Sequence, residues 1–228
     1  MPDSRVLCRK LTDADVEETA AVLAAAFADN PCYAWMHPRV AHRPADLRAF
    51  FVRNLRWHRP LDLTWVATHE GRVVGTSTLE PPGGVPGTLS AAARHWLLPT
   101  VRRQGLRTFV RTFEADREFR ERYLALTGGR PYYHLHAVAV APDLQGRGAG
   151  TMLVDVAMRE YEARSRSDGR PIAVSTQRER NLPLYERVGF APRGDQQMGT
   201  RRGDTGFRTW FLLREASVGP ARASDARP

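Results

Sequence analysis

The chain has 228 residues, of which 42% are apolar, and it contains two cysteines. This length supports one large domain or two small ones with a buried core, and two cysteines exclude a disulfide-rich scaffold. No apolar run approaches the ~20 residues of a membrane span and no secretory leader is recognisable, so we expect a cytoplasmic protein without a membrane partner.

The formal net charge of +9 comes almost entirely from arginine, since Lys10 is the single lysine. A strongly basic chain raises the question of nucleic-acid binding. Here the arginines are spread over nearly every segment, and no nucleic-acid motif is recognisable. The sequence therefore predicts no nucleic-acid partner, although part of the charge can attract an anionic cofactor.

The first third of the chain predicts a strand over residues 4–10 and a helix over 14–27, with Thr12 and Asp15 as its cap. Residues 29–31 end that helix, and a second helix follows over 44–58. Residues 32–36 form a short segment that contains aromatic residues, and no helix is predicted there. They either line an acceptor pocket or simply fill the core. Strands over 63–68 and 73–79 form a β-hairpin.

Residues 87–128 differ in character from the segments around them. Apolar side chains recur there with helical period among many Arg and Glu residues, and the stretch lies between two predicted strands. We therefore predict a helical insertion over one face of a sheet. Such insertions commonly carry acceptor specificity, although a helix pair that only packs explains the same pattern.

The central stretch joins an apolar strand over 135–140 to a glycine-rich segment and then to a helix that continues to about residue 166. A strand, a loop with few side chains and a helix start present main-chain N–H groups and a positive helix-dipole end to an anion. We therefore predict a phosphate-bearing ligand. The candidate residues are Gln145, Gly146, Arg147, Gly148, Ala149, Gly150 and Thr151.

The spacing in this loop excludes two common phosphate sites. A dinucleotide fingerprint needs a third glycine where Thr151 stands, and a P-loop needs a lysine after its second glycine. The form Q-x-x-G-x-G, with Gln145, Gly148 and Gly150, resembles the coenzyme A diphosphate loop of the GNAT superfamily of N-acetyltransferases. A plain glycine-rich turn is the alternative reading of the loop alone.

A second motif follows at the expected distance. After a strand over 172–176, Asn181 opens N-x-x-x-Y-E-x-x-G-F, with Tyr185 and Phe190 at its fixed positions. This form resembles the second GNAT signature. Together with the Arg-rich insertion and the histidine-bearing strand, it is most similar to the puromycin N-acetyltransferase-like branch.

The resemblance implies an α/β (α+β) GNAT fold, with a mixed, largely antiparallel twisted sheet of about six to seven strands flanked by helices. It covers one domain over residues 1–216, with the insertion at 87–128. A short helix over 182–188 and two closing strands, near 191–193 and over 208–213, complete the prediction. Residues 217–228 are rich in Gly, Pro, Ala and Arg and predict a disordered tail.

The resemblance also implies the site. The central strand and its neighbour part, and the main chain of Val138, Ala139 and Val140 pairs with the pantetheine arm. Residues 145–151 hold the diphosphate, and Asn181 bonds the pantetheine arm, caps a helix, or does both. Tyr185 lies near the sulfur, where a phenol with a reference pKa of ~10 can protonate a departing thiolate with one of ~8.5.

The general base is left open among Glu80, His134 and His136. The two histidines share one strand face, and histidine titrates in a useful range. Each of them can instead be a hydrogen-bonded structural residue, and water can relay the proton. The sequence predicts no metal.

We therefore expect an acetyl-CoA-dependent N-acetyltransferase that acts on the primary amine of a small molecule, an antibiotic or a metabolite, by direct attack in a ternary complex. The alternatives are a non-catalytic acyl-CoA-binding module and a protein or peptide N-acetyltransferase. The sequence is compatible with a monomer or a homodimer, and it does not identify the acceptor.

Overall fold

The computed structural model describes residues 6–201 and 203–217, except for the side chain of Leu89. Its strands are β1 (Leu7–Lys10), β2 (Thr64–His69), β3 (Arg72–Glu80), β4 (Tyr133–Val140), β5 (Ile172–Thr176), β6 (Ala191–Met198) and β7 (Phe207–Arg214). In the described residues they form one sheet in the order β1–β2–β3–β4–β5–β7–β6. Neighbouring strands are antiparallel except β4 and β5, which are parallel. The predicted mixed, largely antiparallel sheet is confirmed.

Helices flank this sheet on both faces. They are α1 (Val16–Ala26), α2 (Pro31–Met36), α3 (Arg43–His58), α4 (Leu89–Ala92), α5 (Leu98–Gln104), α6 (Leu106–Leu126), α7 (Ala149–Asp168) and α8 (Leu182–Glu186). A π-helical segment, Ala93–Leu97, joins α4 to α5, and the stretch from α4 to α6 is the predicted helical insertion. Within the described part of the chain, no helix combines the length and the apolar character that a membrane span needs.

The two faces of the sheet pack against different helices. Successive side chains of a strand point to opposite faces, so Trp65 packs with α7 on one face while Val66 packs with α1 and α3 on the other. Further along, Ala173 packs with α2 and α6. His134 and His136 alternate with the α7-facing Tyr133 and Leu135, which places both histidines on the face that carries α1, α2, α3 and α6.

The central strand β4 is irregular in two ways. Opposite β3, Thr76 pairs with Ala139 and Thr78 with His136, so Ala137 and Val138 together lie across from Ser77 in a β-bulge. On its other edge, β4 pairs with β5 only at Tyr133 and His134. The two strands therefore part beyond His134, as the resemblance implies.

Two local features differ from the sequence prediction. Residues 32–36 are helical, because Asn30 caps α2 by accepting hydrogen bonds from the N–H groups of Cys32 and Tyr33, while Pro31 occupies the first turn. Strand β6 continues to Met198 instead of ending near residue 193. β6 is an edge strand, and its residues before Met198 are exposed and mostly polar, so no alternation of apolar side chains indicates a strand there.

The remaining boundaries agree within a few residues. The capping box of Thr12 and Asp15 is formed, although the first turn, Asp13–Asp15, is a 3₁₀-helix and α1 itself begins at Val16. The predicted tail over 217–228 lies outside the described residues except for Ser217.

A buried histidine makes the stability of this fold sensitive to acid. His37 is 1% exposed, and neither ring nitrogen has a hydrogen-bond partner among the described residues. Burial lowers the pKa of His37 from 6.5 to about 4; Asp46 opposes the shift, and three arginines add to it: Arg53, Arg43 and Arg39. As the pH is lowered, His37 therefore becomes protonated in the unfolded chain at a higher pH than in the folded protein. Above pH 6.5, His37 is neutral in both states and does not lower the free energy of unfolding. As the pH falls from 6.5 toward 4, protonation of His37 in the unfolded chain lowers that free energy.

We predict that His37→Phe, which keeps a ring against Phe50, stabilises the fold most at acidic pH. The difference in unfolding free energy between variant and wild type should grow by about 3 kcal/mol between pH 7 and pH 4, measured by urea unfolding. The exposed neighbour His42 supplies the control, since His42→Phe should leave the pH dependence unchanged. Parallel pH curves for His37→Phe and wild type would contradict this account.

The bulge gives a second prediction. Ala137 has φ of 52°, a left-handed conformation that costs a non-glycine residue about 1–2 kcal/mol. Ala137→Gly should therefore leave the unfolding free energy equal to or above that of wild type. Ala139→Gly, in the regular part of the same strand, should lower it by about 1 kcal/mol. Equal losses in both variants would show that Ala137 is not strained.

Candidate active site

One large cleft of about 1300 Å³ opens on the face that carries the two histidines. It extends from the parted edge of β4 and the start of α7 to the helices α1, α2 and α3 and the insertion. Both sequence motifs reach it: Gln145 and Gly148 line it from the glycine loop, and Asn181 and Tyr185 line it from the second motif.

The glycine loop leaves main-chain donors exposed at one end of the cleft. Gly146 and Gly148 have φ of 79° and 89°, a conformation that favours glycine. Gly148 precedes the 20-residue helix α7 without a side-chain cap, and the first N–H groups of a helix have no partner within it. Gln145 ties the loop to β4, because its Nε2 donates to the carbonyl oxygen of Val140 at 3.1 Å. This geometry suits a phosphate group.

Two residues of the predicted loop set lie away from the cleft. Arg147 is exposed, and Ala149, the first residue of α7, is buried in the core. Neither is among the described residues that line the cleft, whereas Gly146, Gly150 and Thr151 are. A ligand in the cleft would therefore meet the main chain of this loop more than its side chains.

The parted strands form the floor of the same cleft. Val138, Ala139 and Val140 line it, and none of the three pairs with β5. Ala139 and Val140 pair with β3 on their other edge, so the edge toward β5 is open to an extended ligand. Gly75 permits close packing behind this strand, because a Cβ there would lie 2.8 Å from the carbonyl oxygen of Ala139 and 2.9 Å from Leu153.

Tyr185 lies in α8 and is 5% exposed. Its ring meets that of Phe190 edge-on, with centroids 6.0 Å apart. Burial raises the pKa of Tyr185 to about 12, so the phenol stays protonated through the physiological range. A buried, protonated phenol on the wall of a cleft is a competent proton donor.

Asn181 stands at the N-cap position of α8 but does not cap it, because its side chain makes no capping hydrogen bond. Its Nδ2 instead donates to Oγ1 of Thr176 at 3.0 Å, which links the second motif to the end of β5. The helix-cap role weighed from the sequence is therefore wrong. The pantetheine contact stays a prediction.

The opposite end of the cleft holds a carboxylate among histidines. Glu80 and His134 face each other across β3 and β4, with Oε2 3.5 Å from Nδ1. Nε2 of His134 lies 3.2 Å from the hydroxyl of Tyr123. Burial works to raise the pKa of Glu80, but hydrogen bonding and charge from His134, with added charge from His136 and His58, hold it at about 2. Glu80 is therefore ionised at physiological pH.

His136 completes this group. Its ring lies 5.4 Å from that of His134 and stacks on His58 at 5.3 Å. Burial, together with the charges of His58 and His134, lowers the pKa of His136 to about 3, against the influence of Glu80. It is neutral at physiological pH, and its Nε2 has no hydrogen-bond partner among the described residues.

Sequence reasoning brought Glu80, His134 and His136 forward, and the structure places them together. Their ligand-capable atoms lie within 4.8 Å of one another, an arrangement that suits a cation, whether a metal ion or an ammonium group. Sequence reasoning missed two members of this cluster, His58 and the buried Tyr123. Nδ1 of His58 lies 2.8 Å from the carbonyl oxygen of Asn54. Both come from distant helices, and no sequence spacing links them to β4.

Comparison with known proteins agrees with this geometry. Residues 109–190 match the family model described as the acetyltransferase (GNAT) family. The fold is similar to that of an agmatine N-acetyltransferase mutant in its apo form, with a TM-score of 0.59, 20% identity and coverage of 93% of this chain and 100% of that one.

Two further solved structures share the fold. The Drosophila melanogaster polyamine N-acetyltransferase has a TM-score of 0.61 at 19% identity, with coverage of 92% of this chain and 100% of that one. A mosquito arylalkylamine N-acetyltransferase-like protein, 5b, has a TM-score of 0.58 at 15% identity over the same shares. At these identities the likeness is one of fold. The segment that matches the GNAT family model contains the glycine loop, Asn181 and Tyr185, and enzymes of that family use acetyl-CoA as cosubstrate.

Proposed function

We propose that this protein transfers the acetyl group of acetyl-CoA to the primary amine of a small molecule by direct attack in a ternary complex. One observation carries the proposal: a single cleft joins main-chain donors, an open strand edge, a buried phenol and an ionised carboxylate among histidines. The names of the similar structures, which mention agmatine, polyamines and arylalkylamines, agree with an amine acceptor.

The end of the cleft at the glycine loop has groups suited to binding the diphosphate and the extended pantetheine arm of the cofactor. The N–H groups around Gly146, Gly148 and Thr151, with the dipole of α7, would hold the diphosphate. The arm would lie along Val138, Ala139 and Val140 and pair with that open edge as a strand does. Asn181, fixed by Thr176, would contribute a polar contact from the β5 side. Arg147, which is exposed, would add charge from outside the cleft.

The chemistry needs two proton movements. The amine nitrogen forms a bond to the acetyl carbon, the carbon–sulfur bond breaks, and the thiolate must gain a proton while the ammonium loses one. Tyr185 would give its phenolic proton to the sulfur and regain one from solvent. A main-chain N–H at the bulge, near Val138, would stabilise the oxyanion, an effect worth ~3 kcal/mol for one donor.

The acceptor end supports an incoming ammonium. Ionised Glu80 would attract and orient that cation. His134 already engages Glu80 and Tyr123, so it would position the carboxylate. His136 is neutral with a free Nε2, so it would accept a hydrogen bond from the ammonium, while its lowered pKa leaves the removal of the proton to a water relay. The three candidates thus receive different roles.

The insertion supports a small acceptor over a protein. Phe109, Phe113 and Phe119 of α6 line the cleft and close it from one side, where a polypeptide substrate would need an open groove. An antibiotic or a metabolite fits this lidded shape. The likeness to the puromycin N-acetyltransferase-like branch stays a prediction.

We predict that Tyr185→Phe lowers kcat by about 10²–10⁴-fold, since it removes the proton donor and keeps the ring. The dissociation constant for acetyl-CoA should change by no more than about threefold, because the ring contributes packing and not a charge. Thiol release under saturating substrates gives the first quantity, and calorimetric titration gives the second. Tyr132→Phe, which alters a half-buried tyrosine that is not in the cleft lining, is the control and should retain full turnover.

Two outcomes would count against the role given to Tyr185. Unchanged turnover in Tyr185→Phe would remove it from the chemistry. A parallel loss of turnover and of acetyl-CoA affinity would make it a binding residue, as a non-catalytic acyl-CoA module requires.

A further inference from the structure

The acceptor end of the cleft has an uneven distribution of charge and aromatic surface. From it we infer that the acceptor is a monoamine, whose single ammonium is borne by an aromatic or similarly bulky apolar body. This inference rests on the proposed function and narrows its substrate class.

The number of unpaired carboxylates in the lining limits how many positive charges of a ligand the cleft can neutralise. Among the described residues on the acceptor side, the charged lining side chains are Glu80, Asp116 and Arg120. Asp116 is already paired with Arg120 at 2.9 Å on α6. Glu80 is thus the anion left to meet an ammonium, with two histidines beside it. The other arginines of the lining, Arg178, Arg180 and Arg187, belong to the side of β5 and α8.

The loop after β3 shields the carboxylate of Glu80 from solvent. Gly84 approaches so closely that a Cβ there would lie 2.8 Å from Oε1 of Glu80, and its φ is 68°. Glu80 is therefore held under a turn of main chain, where its attraction for a cation is less weakened by water. Space at this point suits an unhindered primary ammonium.

Aromatic rings form much of the remaining wall. Trp96 lies 5.6 Å from Phe50 and 6.4 Å from Trp57, centroid to centroid, and all three line the cleft. Phe113 also lines it, although 60% of its surface is exposed. A large apolar side chain exposed at the mouth of a cleft gains free energy when a ligand covers it. An apolar ligand body placed between these rings supplies that cover.

A diamine or a guanidinium-bearing amine fits this wall poorly. Its second cation would lose its hydration among aromatic rings, and the attraction of a ring face for a cation is too weak to offset that loss. The neutral polar lining side chains of α3, α5 and α6, which are Asn54, Thr100 and Thr112, offer no compensating charge. The aromatic lining therefore favours an acceptor that carries a single positive charge.

The test compares kcat/KM for 2-phenylethylamine, hexylamine, putrescine and agmatine with acetyl-CoA, by thiol release and product mass. We expect 2-phenylethylamine to exceed putrescine and agmatine by at least about 100-fold, with hexylamine between them. Phe113→Ala should raise KM for 2-phenylethylamine at least about fivefold and leave the weak reaction of putrescine unchanged. Leu106→Ala is matched to it, since Leu106 is 62% exposed on the same helix and is not in the cleft lining, and it should change neither value.

The outcomes separate the two proposals. Putrescine or agmatine used as well as 2-phenylethylamine would overturn the inference and leave the proposed acetyl transfer intact. An equal effect of Phe113→Ala on both amine types would also overturn it. No acetylated product with any of the four amines, in a protein that binds acetyl-CoA, would count against the proposed function itself.

Discussion

The separation of β4 from β5 is the constraint on which the rest of the site depends. The two strands share only the pairs Tyr133–Ile172 and His134–Ala173, and then they part. Every unpaired strand edge leaves main-chain donors and acceptors without partners. Here that edge lies inside a cleft, so its hydrogen-bonding groups are available to a ligand. The bulge at Ala137 and Val138 follows shortly after the last pair with β5, and it combines a strained residue with a break in the pairing with β3.

This parting also organises the charges. At the cofactor end, the loop before α7 offers N–H groups and the positive end of a helix dipole, which favour an anion. At the acceptor end, Glu80 is ionised beneath a turn of main chain, which favours a cation. Tyr185 lies on the wall of the same cleft, protonated and 5% exposed. The proposed reaction between an anionic cofactor and a cationic acceptor would need both ends held in this way, and the strand edge joins them.

Much of this site follows from local sequence. The glycine loop and the second motif are short, contiguous and tied to a strand-to-helix turn, so their residues predict both structure and ligand class. The β-hairpin and α3 follow from period and turn residues alone. Strand β6 does not, because an edge strand that is polar along most of its length carries no apolar alternation. Helix α2 was missed because Asn30 and Pro31, which end one helix, also begin the next.

The contacts on which the proposed roles of Glu80, His134 and His136 rest are long-range. Tyr123 reaches His134 from the insertion, and His58 reaches His136 from α3. No spacing in the sequence encodes those encounters, since they depend on how two helices pack over one face of the sheet. For the same reason, the sequence left the three candidates equal.

The most direct test of the central claim is a crystal structure of the protein with coenzyme A. The account predicts the pantetheine arm between β4 and β5, bonded to the main chain of residues 138–140, and the diphosphate within hydrogen-bond distance of N–H groups in residues 145–151. A coenzyme bound elsewhere, with the space between these strands left to water, would contradict it.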